Sequence, residues 1–161
     1  EEDIKKEELT RVVVAACSGS PSMNLYQGEV AGNTGTIGGQ SLTLPEGKAP
    51  ADGPVIVGIR PEHLEDASLA EGNPEGTTLS VGIDLIEALG SEIVAHGRFD
   101  ARRVDAGDPD AAETLTGGTV GAGNLVARLN PRSRVARGER AELAVDVANL
   151  YFFDPQTRLA L

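Results

Sequence analysis

A strand pattern that a proline ends abruptly is the feature that most constrains the fold of this chain. Residues Val55–Ile59 are β-branched or glycine, and such an apolar run is typical of a buried strand. Pro61 has a fixed φ and no backbone N–H for a ladder, so the strand must end near Arg60. Pro61 also suits the first position of a helical turn, and Glu62 suits the positive end of that turn. The pattern therefore predicts that a buried strand brings Arg60, Glu62 and His63 to one edge of a sheet.

Similar short patterns recur along the chain, and Gly-, Pro- and Asp-rich segments separate them. The predicted strands are Leu25–Val30, Gln40–Leu44, Leu79–Leu85, Ile93–Phe99, Leu125–Leu129, Ala141–Val145 and Leu150–Phe153. The predicted turns and connections are Gly32–Gly35, Pro45–Pro54, Glu65–Gly76, Ile86–Glu92, Ala101–Gly123 and Asp154–Thr157. Many short strands with turn signals between them predict an all-β barrel or sandwich.

Composition narrows the classes of function. The formal net charge of -11 disfavours a nucleic-acid surface and a polybasic membrane contact, because both need Lys and Arg against phosphate. The chain has no run of about 20 apolar residues, so no segment is expected to insert into a membrane. Its single cysteine, Cys17, excludes an internal disulfide and suits a reducing cytosol.

Glycine is abundant, yet the pattern Gly-x-x-x-x-Gly-Lys-Ser/Thr of a phosphate-binding P-loop does not occur. The glycine-rich stretch Gly28–Gly39 contains no Lys and no helix signal follows it, so it predicts a hairpin. We therefore expect no nucleotide site in this chain.

Metal and nucleophile patterns are also weak. The acids of the connection after residue 101 have the wrong spacing for a calcium loop, and Pro109 interrupts them, so a solvated acidic loop is favoured. These acids are Asp105, Asp108, Asp110 and Glu113. His63 and His96 have no third ligand placed to complete a zinc site, and no Gly-x-Ser-x-Gly elbow is present. The sequence predicts no metal, no cofactor and no catalytic residue.

One basic island stands out against the acidic background. It contains a single acid, Glu139, and its arginines are Arg128, Arg132, Arg134, Arg137 and Arg140. Arginine forks suit carboxylate or phosphate partners, so these residues are candidates for contact with an anion or a protein partner. The alternative, which we favour, is that they balance the charge of the acidic remainder of the domain.

Six segments, taken in order, resemble the C-terminal domain of the ATP-binding subunits of maltose, glycerol-phosphate and trehalose importers. These segments are Gly19–Leu25, Val57–Leu64, Glu87–Glu92, Leu125–Arg134, Gly138–Arg140 and Leu150–Pro155. The positions that carry the resemblance most specifically, with structural or regulatory roles implied, are Gly19, Ser20, Pro21, Met23, Asn24, Gly58, Arg60, Pro61, Glu62, His63, Gly90, Ser91 and Glu92.

The resemblance implies an oligonucleotide-binding-fold-like (OB-fold) barrel with a small additional β-sheet. It implies a regulatory, transport-associated domain at residues 18–161, after a charged arm and partial lead-in strand at residues 1–17. The implied partners are importer ATPase and membrane subunits and a second copy of the chain, at the cytoplasmic face of the membrane. Nucleic acid is not implied, and no cofactor is implied.

Two departures from the family pattern matter. The chain contains neither a P-loop nor the signature Leu-Ser-Gly-Gly-Gln, so the ATPase domain is missing from it and no enzyme activity is expected. Val13–Ser18 follows the lead-in strand only in part, residues 1–12 do not match, and Ala101–Gly123 is longer than the usual hairpin.

Three functions remain open at this point. The first is the regulatory and dimerisation module, with Val12–Ala16 and Leu150–Phe153 as the expected contact between two copies. The second is a small-anion or sugar-phosphate-binding module that uses the Arg128–Arg140 island. The third, a hydrolytic enzyme, is the least favoured, because the nucleophile patterns are weak.

Overall fold

The structure, a computed structural model, describes residues 23–104 and 125–161. Predictions for the arm at residues 1–17, for Gly19, Ser20 and Pro21 and for the acids of residues 105–113 lie outside the described residues. The strands of the described part are β1 (Asn24–Ala31), β2 (Thr34–Ile37), β3 (Gln40–Thr43), β4 (Gly53–Ile59), β5 (Leu64–Asp66), β6 (Thr78–Ala88), β7 (Ile93–Arg98), β8 (Leu125–Leu129), β9 (Arg140–Val145) and β10 (Tyr151–Phe153). Two short 3-10 turns, Pro61–His63 and Val147–Asn149, complete the elements and confirm the all-β prediction.

The strands form two antiparallel sheets of five strands each. The first, which we call the barrel sheet, has the order β5-β9-β6-β7-β8, and its end strands β5 and β8 lie against each other, so the sheet nearly closes. The second sheet has the order β10-β4-β1-β2-β3. The expected OB-fold-like barrel with an additional sheet is therefore confirmed, and the additional sheet has as many strands as the barrel sheet.

One hydrophobic core joins the two sheets. Its members from β4 are Val55, Val57 and Ile59, and its members from β6 are Leu79, Val81 and Ile83. The opposite face of β4 packs into a smaller cluster of Met23, Leu25, Ile56 and Phe153. The strand is thus apolar on both faces, as its sequence predicts.

Close packing explains why a glycine occupies position 58 of β4. A Cβ at this position would lie 2.5 Å from the sulfur of Met23 and 3.2 Å from Cβ of Tyr151. Because Met23 lies across the strand here, only a residue without a side chain fits without a shift of its neighbours.

Several predicted boundaries were wrong. The turn predicted at Gly32–Gly35 contains only the first two of these residues, since β2 begins at Thr34. The connection predicted for Glu65–Gly76 begins later, because Leu64–Asp66 forms β5 against β9. Three residues carry too little pattern to predict a strand, and the pairing with the buried strand β9 decides the conformation.

The long hairpin β6–β7 also differs from the prediction. The strand continues through Ala88 instead of being interrupted at Ile86, and its irregularity falls between Ile83 and Leu85. Gly90 has φ 85° in the turn between the two strands, which is a conformation that glycine adopts without strain.

The first residues of the predicted 101–123 connection belong to the second sheet. The Gln27 amide donates to the Arg102 carbonyl at 2.9 Å, and the Val104 amide donates to the Leu25 carbonyl at 2.9 Å. The chain therefore crosses from β7 of the barrel sheet to β1 of the second sheet before residue 105.

Candidate functional site

The outer edge of β8 is the point where the motif segments meet. This strand is an end strand of the barrel sheet, so no described strand pairs with its outer edge. The Asn24 side chain takes that place: its Oδ1 accepts from the Val126 amide at 2.8 Å and its Nδ2 donates to the Val126 carbonyl at 2.9 Å. The same Nδ2 donates to the Ile59 carbonyl at 3.0 Å. Because a side-chain amide offers both a donor and an acceptor, Asn24 pairs with β8 as a neighbouring strand would; we call this arrangement the Asn24 clamp.

The 3-10 turn Pro61–His63 follows β4 and packs against β8. Its geometry is the one that the sequence predicts, with extended Arg60 before it, Pro61 at its start and the Leu64 amide donating to the Pro61 carbonyl. The Asp146 amide donates to the His63 carbonyl at 2.9 Å, and Leu64 is fully buried. The turn is therefore fixed on both sides and holds its exposed residue, Glu62, at the surface.

Arg60 lies over an aromatic ring of the neighbouring strand. Its guanidinium carbon is 5.3 Å from the ring centroid of Tyr151, and its Nε is 3.3 Å from the Tyr151 hydroxyl oxygen. Tyr151 is placed there because it pairs with Gly58 across β10 and β4. The arrangement is a cation–π contact at the surface.

Arg128 of β8 forms an ion pair with Glu92, which precedes β7. Its Nε donates to the Glu92 carboxylate at 2.6 Å, and this hydrogen bond together with the charges of Glu92 and Glu62 raises the pKa of Arg128. Leu89, whose amide donates to the Glu92 carbonyl at 2.9 Å, is 55% exposed beside the pair.

These contacts involve residues from four separate motif segments, and Glu62, whose charge acts on Arg128, lies in the turn that follows Arg60. We call this set the Arg128 surface, and its members are Arg60, Glu62, Leu89, Glu92, Arg128 and Tyr151. From the sequence, Tyr151 is only one residue of the predicted strand Leu150–Phe153, and Leu89 is only one residue of the motif segment Glu87–Glu92. Their exposure is the signal that identifies them, and the sequence does not carry it.

The other arginines of the basic island lie elsewhere. Arg132 and Arg134 are in the loop between β8 and β9, and Arg140 Nε donates to the Ser80 hydroxyl at 2.7 Å. Arg137 helps to lower the pKa of Asp84, although the hydrogen bond from Arg98 has the larger effect. The five arginines are therefore distributed over several places, and only Arg128 belongs to the surface described above.

The two histidines lie in different environments. His63 Nδ1 is buried and has no hydrogen-bond partner among the described residues, whereas His96 Nε2 is 2.6 Å from the Glu87 carboxylate. Within residues 23–104 and 125–161, no group of three or more His, Cys, Asp or Glu is placed to hold a metal ion. The same residues form no helix with the length and hydropathy that a membrane span requires. A cleft of about 480 Å³ between residues 50–55 and the C-terminal residues 154–161 contains none of the predicted site residues.

Comparison with known proteins gives a family match at the same place. The model of the MalK OB fold domain matches residues 19–64, which include Asn24 and the Pro61–His63 turn. Together with the two sheets, this match defines the class of the protein as an OB-fold domain.

Curated relatives extend the match over most of the chain. The oligosaccharides import ATP-binding protein MsmX of Bacillus subtilis is 27% identical over 157 residues, covering 93% of this chain and 37% of the relative. The sn-glycerol-3-phosphate import ATP-binding protein UgpC of Cereibacter sphaeroides is 33% identical, covering 89% and 33%. The trehalose import ATP-binding protein SugC of Mycobacterium tuberculosis is 31% identical, covering 92% and 40%.

The chain thus spans between a third and two fifths of the length of these relatives. The resemblance stated from the sequence is confirmed: the chain matches the C-terminal OB-fold domain of the ATP-binding subunits of carbohydrate ABC importers.

Proposed function

We propose that this chain acts as a non-catalytic regulatory and dimerisation domain of a carbohydrate importer, at the cytoplasmic face of the membrane. Its partners are then the ATPase and membrane subunits of the importer and a second copy of itself. The Arg128 surface is the observation that carries the proposal. It contains a cation–π pair, an ion pair and an exposed leucine from four motif segments, and arginine and tyrosine are enriched at protein interfaces.

The packing of the described residues supports protein contact over small-molecule binding. The arginines that could hold an anion are dispersed, and the cleft near the C-terminal residues contains none of the motif positions. Tyr151 also belongs to the segment Leu150–Phe153, from which the sequence predicts contact between two copies, and it is 37% exposed.

The dimerisation part of the proposal is tested by sedimentation velocity of the purified chain at about 10 mM and about 500 mM salt. Because the chain carries a net charge of -11, two copies repel each other and we expect association to strengthen with salt. A chain that stays monomeric in both buffers at high protein concentration contradicts self-association.

The non-catalytic part is tested with ATP. The chain contains no P-loop pattern, so we expect no phosphate release above buffer from repurified protein. Hydrolysis that survives repurification and is lost on substitution of a residue of this chain contradicts the proposal.

A further inference from the structure

Side chains, and not strands, close the remaining gap of the barrel. The end strands β8 and β5 lie side by side, and Glu65 of β5 accepts the amide of Asn130, just after β8, at 3.0 Å. At the other end of β8, the Asn24 clamp satisfies both backbone groups of Val126. Asn24 is 2% exposed, so water does not replace these bonds readily.

Within the described residues, the same chemistry occurs again between β3 of the second sheet and β6 of the barrel sheet, away from β8. Gln40 of β3 donates from Nε2 to the Ser80 carbonyl at 2.8 Å and accepts the Ser80 amide at 2.7 Å. Ser80 lies on β6 before Gly82, the residue where the pairing with β7 begins. A side-chain amide therefore takes the place of a strand at two independent positions, and the second position serves as an internal control for the first.

We propose that Asn24 is a connector that couples the start of β1 to the outer edge of β8, and through it to the Arg128–Glu92 pair. Val126 and Arg128 are two residues apart on β8, so their side chains lie on the same face of the strand. Loss of the clamp leaves the Val126 amide without its partner and loosens the strand that carries Arg128. That this coupling modulates partner binding rests on the proposed function, whereas the coupling itself does not.

The test is native-state hydrogen exchange by NMR on the full chain, with Asn24→Ala compared with Gln40→Ala. In Asn24→Ala we expect the Val126 amide to exchange at least about ten-fold faster, because local opening then breaks fewer bonds. The Ser80 amide keeps its exchange rate in this variant. Gln40→Ala gives the opposite pattern, with fast exchange at Ser80 and an unchanged Val126.

A second readout reports on the surface. The Arg128 Nε–H resonance, which the bond to Glu92 shifts, moves toward the position of free arginine in Asn24→Ala and stays in place in Gln40→Ala. Asn24→Ser, which places a small neutral hydroxyl at this buried position, gives an intermediate exchange rate and replaces the alanine variant if that variant does not fold.

Unchanged exchange at Val126, or an unmoved Arg128 resonance, overturns the proposal. Global unfolding of both Asn24 variants also overturns the proposal, because a side chain that holds one strand edge should affect only the hydrogen bonds of that edge when it is replaced. None of these results depends on whether the chain binds a partner, so failure of the proposed function is seen separately.

Discussion

Two positions that are two residues apart on β8 are held in different ways. At Val126 the outer edge of the strand is held by the neutral amide of Asn24, which is buried, whereas the side chain of Arg128 forms an ion pair at the surface with Glu92, beside the neighbouring strand β7. A neutral amide can satisfy a buried backbone without the desolvation that a charge would cost. A partly exposed ion pair at the surface contributes little to folding, because water screens its charges. The buried motif positions are therefore explained by the fold, and the exposed ones are better explained by binding.

The largest expected effect lies on the buried side of this comparison. Leu64 follows the Pro61–His63 turn and is 1% exposed, so Leu64→Ala should lower the free energy of unfolding by about 2–5 kcal/mol. Leu89→Ala removes the same atoms from a residue that is 55% exposed, so this variant should change the free energy of unfolding by less than about 0.5 kcal/mol. Urea unfolding measures both, and a Leu64→Ala variant with the wild-type midpoint would show that the turn is not packed as described.

A pH-dependent effect is expected at the other end strand, β5. Burial raises the pKa of Asp66, but hydrogen bonds from Ser133 and Ser68 lower it by more, so its pKa lies below the usual value. An acid whose folded-state pKa is lowered stabilises the protein above its unfolded pKa, and this stability is lost as the pH falls through the folded pKa.

Urea midpoints between about pH 7 and pH 2 should therefore show Asp66→Asn less stable than wild type at neutral pH, with the difference narrowing below about pH 4. Glu71→Gln, which makes the same charge change at an exposed residue, is the control and should follow the wild-type curve. If the difference in urea midpoint between Asp66→Asn and wild type is the same at every pH, the hydrogen bonds from Ser68 and Ser133 do not stabilise the charged form of Asp66.

A smaller effect is expected at His63, which shares the turn with buried Pro61 and exposed Glu62. Its Nδ1 forms no hydrogen bond with the described part of the chain, so we expect His63→Ala to remove packing but no hydrogen bond of that atom. The free energy of unfolding should fall by less than about 1.5 kcal/mol, and the fold should remain intact. Circular dichroism and urea unfolding of this variant beside Leu64→Ala measure the ranking, and the reverse order would contradict the described roles of the two residues.

Features that depend on neighbouring residues are predicted from the sequence better than contacts between residues that are far apart in the chain. The end of β4, the turn after it and the apolar character of both faces of Val55–Ile59 follow from residue types alone. The Asn24 clamp does not, because its partner Val126 is 102 residues away and contributes only backbone atoms. For the same reason β5 was missed: its pattern is three residues long, and its pairing with β9 is a tertiary contact.

The sequence predicts most residues of the candidate site, but it does not predict which of them lie next to one another. Arg60, Glu62, Glu92 and Arg128 were all named from motifs, yet Arg128 was grouped with the other arginines of its island. The register of β7 against β8, which sets Val94 opposite Arg128, brings it beside Glu92 instead. Register depends on the partner strand, and a single strand pattern does not contain it.

The most direct test of the separation between folding residues and binding residues compares two variants, each of which loses one arginine charge. Sedimentation velocity at about 500 mM salt is measured for wild type, Arg128→Ala and Arg132→Ala, with thermal unfolding of each as a check on folding. We expect Arg128→Ala to melt like wild type but to associate at least about ten-fold more weakly, whereas Arg132→Ala should match wild type in both melting and association. Association of Arg128→Ala at the wild-type strength, or equal weakening in Arg132→Ala, would contradict this separation.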